Sequence, residues 1–426
     1  MMKQDNITAA PIQELIKKKL VFGAWCVFEE EILDEARCQR VRDSGIDFGY
    51  IGVAEDHSNV LPILDACQRH DLLAILFDPK VQRLFEDQMF FLPSAIADYK
   101  DHPALAGFGL RDEPGVADFS RLKKLTEACL KEAPNKMPAI NLYPIYANQD
   151  QLGCATYQEH IDRYADELAL DTISYDFYPL YGTEKETWLQ DNYLRNFEIV
   201  AQACKRTGCD MWYFIQNLAF NYILRDPSIE DVRWQIYVAM SFGAKVIQLF
   251  TYGTPGNGAE TFQDALIDRD GNATSRYYDV QKVIGEMNRF TGNYVPYRWE
   301  GVMAYRTQKE AVSRSYEVVF PNHREMMEFK GSYMELDHEL ESFAPIAKFE
   351  GERHLLIGCF TQGEKKAFTL VNMEDPGKKL SNKAVIEFTQ PVSLMVHGKD
   401  GSEKIDVGAR WELTLDFGEG LFVEIL

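Results

Sequence analysis

The sequence predicts an α/β protein, a (β/α)8 TIM barrel followed by a small antiparallel β-sandwich domain. Three observations carry this prediction. Short apolar runs alternate with helical patterns from Val21 to about Gly292. Most of those runs end abruptly in acids, amides or aromatics. After Tyr294 the texture changes to period-2 alternation, broken by turns such as Asp400-Gly401 and Glu419-Gly420. Alternating strand and helix signals build a parallel sheet with helices outside it, whereas a period of two builds antiparallel strands with one buried face.

The expected barrel strands are Val21–Val27, Phe48–Val53, Leu72–Asp78, Ala104–Leu110, Pro138–Tyr143, Thr172–Tyr178, Met211–Gln216 and Val246–Tyr252. Helices are expected at Leu33–Ser44, Val60–His70, Gln82–Lys100, Phe119–Ala133, Tyr157–Leu168, Trp188–Thr207, Ile229–Phe242 and Arg276–Thr291. Eight such units fit the ~250 residues typical of a barrel. A doubly wound sheet also alternates, but it opens a helix on a Gly-rich phosphate turn. No Gly-x-Gly-x-x-Gly or P-loop lysine motif occurs here. The later strands are expected at Leu355–Phe360, Ala367–Asn372, Val385–Phe388, Val392–Val396, Trp411–Leu415 and Leu421–Ile425. The division is therefore a barrel over 1–294 and a β-domain over 295–426, the second shielding one side of the first.

A chain of 426 residues, 46% of them hydrophobic, can bury a large core and is not a disordered polymer. Its 66 acidic against 45 basic side chains leave a net charge of −21. That balance argues against nucleic acid, anionic membrane surfaces and polyanionic substrates as partners, and favours a neutral small molecule. No apolar run has the length of a signal peptide core or a membrane span. The eight cysteines include no Cys-x-x-Cys pair. A reduced, cytoplasmic protein is the simplest expectation. The oligomeric state stays open, a homo-oligomer included, and no cofactor or metal motif is present.

Chemistry in a β/α barrel sits where the strands end. The segment Gly107-Phe-Gly-Leu-Arg-Asp-Glu-Pro-Gly115 is the most informative. Its apolar run stops at Arg111, Asp112 and Glu113, and Pro114 cannot continue the ladder. Trp25 ends the first strand, Glu55, Asp56 and His57 the second, and Asp78 the third. Asn141 and Tyr143 end the fifth, Asp176 and Tyr178 the sixth, Gln216 and Asn217 the seventh, Thr251 and Tyr252 the eighth. Amides and carboxylates suit hydroxyl groups, and Trp and Tyr faces suit C–H surfaces, so this rim reads as a sugar pocket. Glu260 lies in a long loop after the last strand, a length that usually marks function.

The Arg111-Asp112-Glu113-Pro114 strand end resembles the clan of (β/α)8 retaining glycosidases that includes the family 42 β-galactosidases. Ser174-Tyr-Asp-Phe-Tyr-Pro179, Arg233-Trp-Gln235, Gly243-Ala-Lys245 and Phe250-Thr-Tyr252 are similar to relatives of the same kind. The resemblance covers the barrel in outline and implies a glycoside hydrolase with Glu113 as general acid. Where the clan places its nucleophilic Glu on strand seven, this chain has Gln216. An amide cannot attack as a carboxylate, so the second acid is expected elsewhere, with Asp176 first and Glu55, Asp56, Asp78 and Glu260 behind it. Trp25, Glu55, Asp78, Asp112, Asn141, Tyr143, Tyr178, Gln216 and Tyr252 are the expected substrate contacts. The alternative is a catalytically impaired barrel that binds carbohydrate, which Gln216 favours. An aldolase or lyase is disfavoured, because Lys245 begins strand eight at the wrong end for a Schiff base.

Overall fold

The computed structural model describes residues 10–28, 35–84, 86–183, 185–258, 260–307, 314–319 and 324–426. The N-terminal stretch read for a leader lies outside them through residue 9, as do Leu33 and Asp34 of the expected first helix. Eight parallel strands close into a barrel: β1 Val21–Phe28, β2 Phe48–Gly52, β3 Leu73–Phe77, β4 Leu105–Asp112, β5 Met137–Leu142, β6 Thr172–Asp176, β7 Asp210–Gln216 and β8 Val246–Phe250. Each neighbours the next in sequence, and closure joins β1 to β8 through the pairs Val21↔Val246 to Ala24↔Leu249.

Period two explains the packing of these strands. On β7, Trp212 and Phe214 point into the barrel, while Met211, Tyr213 and Ile215 face the helices. Helix Pro11–Ile16 inserts Ile12 and Ile16 among Val21, Phe48, Ile75 and Val246, residues at or near strand starts, and so plugs the lower mouth. Above this layer an aromatic floor forms. Trp25 packs on Phe77 at 4.8 Å and on Tyr50 at 5.2 Å, and Tyr50 meets Phe214 at 5.7 Å. The site can therefore open only at the strand C-terminal ends.

Two expected helices differ in the structure. Gln82–Lys100 is broken into Pro79–Gln82, a 3-10 turn Glu86–Phe91 and Leu92–Ile96. Pro93 has no N–H for a continuous ladder, so it begins the third piece rather than sitting within one helix. Trp188–Thr207 begins instead at Tyr193. Asn192 sits in the left-handed region at φ 58° and stops the helix, while Thr187–Leu189 pairs with Leu180–Gly182 as a small hairpin.

Beyond the barrel lies a seven-stranded antiparallel sheet. The expected Val385–Phe388 and Val392–Val396 are one long strand, Asn382–Gly398, bulged between Glu387 and Val392. Its first half pairs with Ile346–Gly351 and its second with Gly420–Ile425, so the sheet curls around its own core. Strand Arg298–Tyr305 had no clear signal because a bulge at Gly301 interrupts its alternation. A separate hairpin, Arg314–Val319 with Arg324–Phe329, was also not expected.

Alternation again divides the faces. Leu355, Ile357, Cys359, Phe368 and Leu370 fill the curled core, whereas Leu356, Phe360, Ala367, Val371 and Phe422 join the barrel's outer core. They pack on helix Ile229–Ser241, where Trp234 Nε1 donates to the Asn372 carbonyl at 3.1 Å and Ser241 Oγ bonds Thr369 Oγ1 at 2.7 Å. Removing the residues after Tyr294 would bare Trp234, Tyr237, Phe290 and Tyr294. Apolar burial is worth ~25 cal/mol per Å². The truncated barrel is therefore expected to be insoluble or to melt well below the full chain; an unchanged melting transition by circular dichroism would contradict this. Among the described residues no helix is long and apolar enough to cross a membrane.

Candidate active site

Strand β4 ends at Asp112, and Glu113 follows with φ 46°, in the left-handed region. That region is sparsely populated by non-glycine residues, and Pro114 further disfavours the ordinary helical conformation at Glu113. The bend is held by the Glu113 N–H, which donates to the Asn141 carbonyl at 2.8 Å. Backbone held in this way costs about 1–3 kcal/mol and clusters at functional positions. Its effect here is to carry the side chain of Glu113 into the barrel mouth beside Asp112.

A chain of hydrogen bonds crosses the barrel beneath these acids. Tyr50 Oη donates to Gln248 Oε1 at 2.7 Å, and Gln248 Nε2 donates to Ser174 Oγ at 3.0 Å. Ser174 Oγ then donates to Asn141 Oδ1 at 2.9 Å. With its oxygen fixed, Asn141 must present Nδ2 upward. That amide donates to Asp176 at 2.9 Å and, more weakly, to Asp112 at 3.3 Å. Every side chain in the relay is supplied by an inward-facing position of a strand.

The mouth encloses a cavity of about 470 Å³. Glu113, Asp112, Asp176 and Glu260 all line it, with Trp25, Tyr146, Tyr178, Tyr181, Phe214 and Phe250 as aromatic walls. Burial, then the charges of Asp112 and Glu260, push the Glu113 carboxyl up to about 7. Burial and the neighbouring Glu113 and Asp112 also push Asp176 well above the carboxylate range, against the Asn141 hydrogen bond, which favours its anion. Asp112 keeps access to the cavity yet is hemmed in by protein, and burial raises its pKa too.

Of the residues expected at the site, Glu113, Asp176, Trp25, Asp112, Asn141 and Tyr178 come together around this cavity, and Glu260 joins them from its loop. Six others do not line it. Glu55 is exposed and paired with Arg83 in a separate groove. Asp78 is fully buried; it accepts from Lys80 N at 2.8 Å, bonds His57 Nε2 at 3.0 Å and receives the Tyr99 hydroxyl, leaving nothing for a ligand. Tyr143 stands beside the cavity, half-buried, with the charges of Glu113 and Arg111 near it. Tyr252 is buried in the outer core. Gln216 accepts from Leu180 N at 3.0 Å and donates to the Arg225 carbonyl at 3.0 Å, so its amide organises the Leu180 and Arg225 backbone instead of meeting substrate. Asp56 accepts from its own neighbour Ser58 N at 3.0 Å.

The sequence reading missed Tyr146, Tyr181, Phe220, Asn221 and Met327 among the lining residues. Met327 comes from the hairpin after the barrel, whose Tyr316 stacks on Trp188 at 4.2 Å and whose Phe329 packs on Tyr181 at 4.9 Å. No pattern within the barrel sequence announces a wall supplied from outside it. Tyr146 was findable, since it follows Tyr143 in the loop after β5.

A family model for glycoside hydrolase family 42, described as Beta-galactosidase, matches residues 116–290. The match begins just after Glu113 and includes Asp176 and Glu260. No curated protein sequence matches the chain. Among solved structures, a GH42 β-galactosidase from G. stearothermophilus matches with a TM-score of 0.60 at 10% identity, over 96% of this chain and 98% of that one. The β-galactosidase of Bacillus circulans sp. alkalophilus gives 0.60 at 8% identity, over 96% and 99%. The β-galactosidase of Marinomonas ef1 gives 0.47 at 14% identity, and there the chain covers 59% of the other's length. At these identities the two matches at a TM-score of 0.60 speak to the fold. Barrel, trailing sheet and family match together define the class, a (β/α)8-barrel glycosidase. Within that class, residues 116–290 are similar to the family 42 β-galactosidases.

Proposed function

We propose that the protein hydrolyses a neutral glycoside or short oligosaccharide at the β4–β6 rim, with Glu113 as general acid and Asp176 as the second carboxylate. The observation that carries this reading is the meeting of the two carboxyls in one aromatic-walled cavity, each displaced upward first by burial, Glu113 then by Asp112 and Glu260 and Asp176 by Glu113 and Asp112. Two acids that repel one another hold a proton between them at neutral pH. The Asn141 amide donates to Asp176 and favours its anion against the upward push of burial; the proposal places the shared proton on Glu113, where a leaving oxygen needs it.

In the proposed reaction Glu113 gives its proton to the glycosidic oxygen as that bond to the anomeric carbon breaks. Asp176 acts from the opposite side of the ring. If it deprotonates a water, the configuration inverts; if its oxygen bonds the anomeric carbon, water later cleaves the ester and the configuration is retained. Trp25, Tyr146 and Tyr178 offer ring faces to the sugar, and Asp112 and Glu260 offer acceptors to its hydroxyls. The family match makes β-galactosides the first substrates to assay.

A second reading, carbohydrate binding without cleavage, draws on Gln216, which leaves the C-terminal end of strand seven without a carboxylate. A panel of nitrophenyl glycosides and natural oligosaccharides separates the two. Release of product, lost in Glu113→Gln, supports hydrolysis; saturable binding with no product supports the second reading. A proton held to about pH 7 also fixes the pH profile. Turnover should fall as pH rises above about 7, because the acid form of Glu113 is lost. A rate that keeps climbing through pH 9 would contradict Glu113 as the acid.

A further inference from the structure

At the opposite end of the barrel, two cysteines sit together with no role in the reaction above. Cys204 lies in the last turn of helix Tyr193–Thr207, and Cys209 immediately precedes β7. Gly208 stands between them at φ 79°, and its N–H closes the helix on the Cys204 carbonyl at 2.8 Å. A left-handed glycine cap brings the residue after it back over the helix's last turn. Here that residue is a cysteine, and the turn it meets also carries one. The two side chains lie close enough to interact, and the Thr207 hydroxyl, which bonds the Ala203 carbonyl at 2.9 Å, also lies 3.2 Å from Cys209 Sγ. The neighbouring Cys204 holds the Cys209 thiol below its ordinary value, while burial pushes the Cys204 thiol up.

Access is as important as proximity. Cys209 is half-buried and both thiols line a groove of about 280 Å³ at the base of the barrel. Cys38 and Cys67 also lie in contact, but both are fully buried. We propose that Cys204 and Cys209 form a site of reversible thiol modification, a dithiol that exchanges with low-molecular-weight disulfides and closes to an internal disulfide. The Cys209 thiolate attacks one sulfur of the small disulfide, giving a mixed disulfide and releasing one small thiolate. Cys204 then loses its proton and attacks Cys209 Sγ, closing the Cys204–Cys209 bond and releasing the second small thiolate. The protein loses two protons and two electrons, and the small disulfide is reduced to two thiols. The thiolate is the attacking species and an adjacent thiol resolves the intermediate, which is why a pair is needed.

The test uses the full chain, folded, with oxidised glutathione as the probe. Free thiols should fall by two, and the intact mass should fall by two hydrogens. Proteolysis under non-reducing conditions should yield one peptide pair linked through Cys204 and Cys209, and dithiothreitol should reverse it. Cys204→Ser should stop at a glutathione adduct on Cys209, and Cys209→Ser should not react at this site, whereas Cys154→Ser should behave as wild type. A lasting glutathione adduct on wild-type Cys209, no reaction there, or a link to any other cysteine would overturn the proposal. The readout is chemical and does not depend on the glycosidase reading.

Discussion

Glu113→Gln is expected to lower turnover of an unactivated glycoside by about 10²–10⁴-fold, the usual contribution of a positioned general acid. The amide preserves the shape of the side chain and its place beside Asp112, so substrate affinity should change little. It cannot supply a proton. The loss should shrink for substrates with very acidic leaving groups, which depart without assistance. A second consequence concerns stability. The folded protein holds the Glu113 proton up to about pH 7, whereas an ordinary glutamate releases it near 4.5. The folded form thus binds more protons than the unfolded chain between those values, and the stability associated with this group is lost as pH rises through them. Glu113→Gln should therefore raise the melting temperature relative to wild type at pH 8, and by less at pH 4. Equal shifts at both pH values would show that Glu113 is not a buried acid.

Asp176→Asn is expected to abolish hydrolysis to a similar or greater degree. Its carboxylate accepts from Asn141, which is locked from behind by Ser174, Gln248 and Tyr50. An asparagine there still accepts one hydrogen bond, so the fold should survive, as a melting curve would check. Azide should restore turnover if Asp176 is the second carboxylate, because a small anion can enter the space and act as nucleophile or base. The product's anomeric form, read by NMR, then distinguishes the two roles. Normal turnover by Asp176→Asn would exclude it and move attention to Glu260, the remaining cavity acid among the ranked alternatives.

The barrel was legible because strand and helix have different periods, and because eight strand ends carry side chains that a buried sheet does not need. Glu113, Asp112, Asn141 and Asp176 were visible on that logic, each being a polar residue at the end of an apolar run. The same logic named Asp78, Tyr252 and Gln216, which do not line the cavity. A strand-end polar residue serves either a ligand or the backbone around it, and only the neighbouring loops decide which. Asp78 is taken up by Lys80, His57 and Tyr99, and Gln216 by Leu180 and Arg225. Met327 was hidden for another reason: it belongs to a hairpin more than two hundred residues away along the chain from Glu113. The relay from Tyr50 to Asp176 was equally out of reach, since it joins four strands whose mutual register no local pattern specifies.

Glu113 and Asp176 are proposed to cleave a glycosidic bond in this cavity. Proton NMR of a neutral glycoside mixed with wild type, Glu113→Gln and Asp176→Asn tests it most directly, because one spectrum reports both ligand binding and the released anomeric proton. Free sugar is expected from the wild type, appearing first as a single anomer, and binding without release from both variants. Release at the wild-type rate from either variant, or binding without release by the wild type across the whole panel, would contradict it.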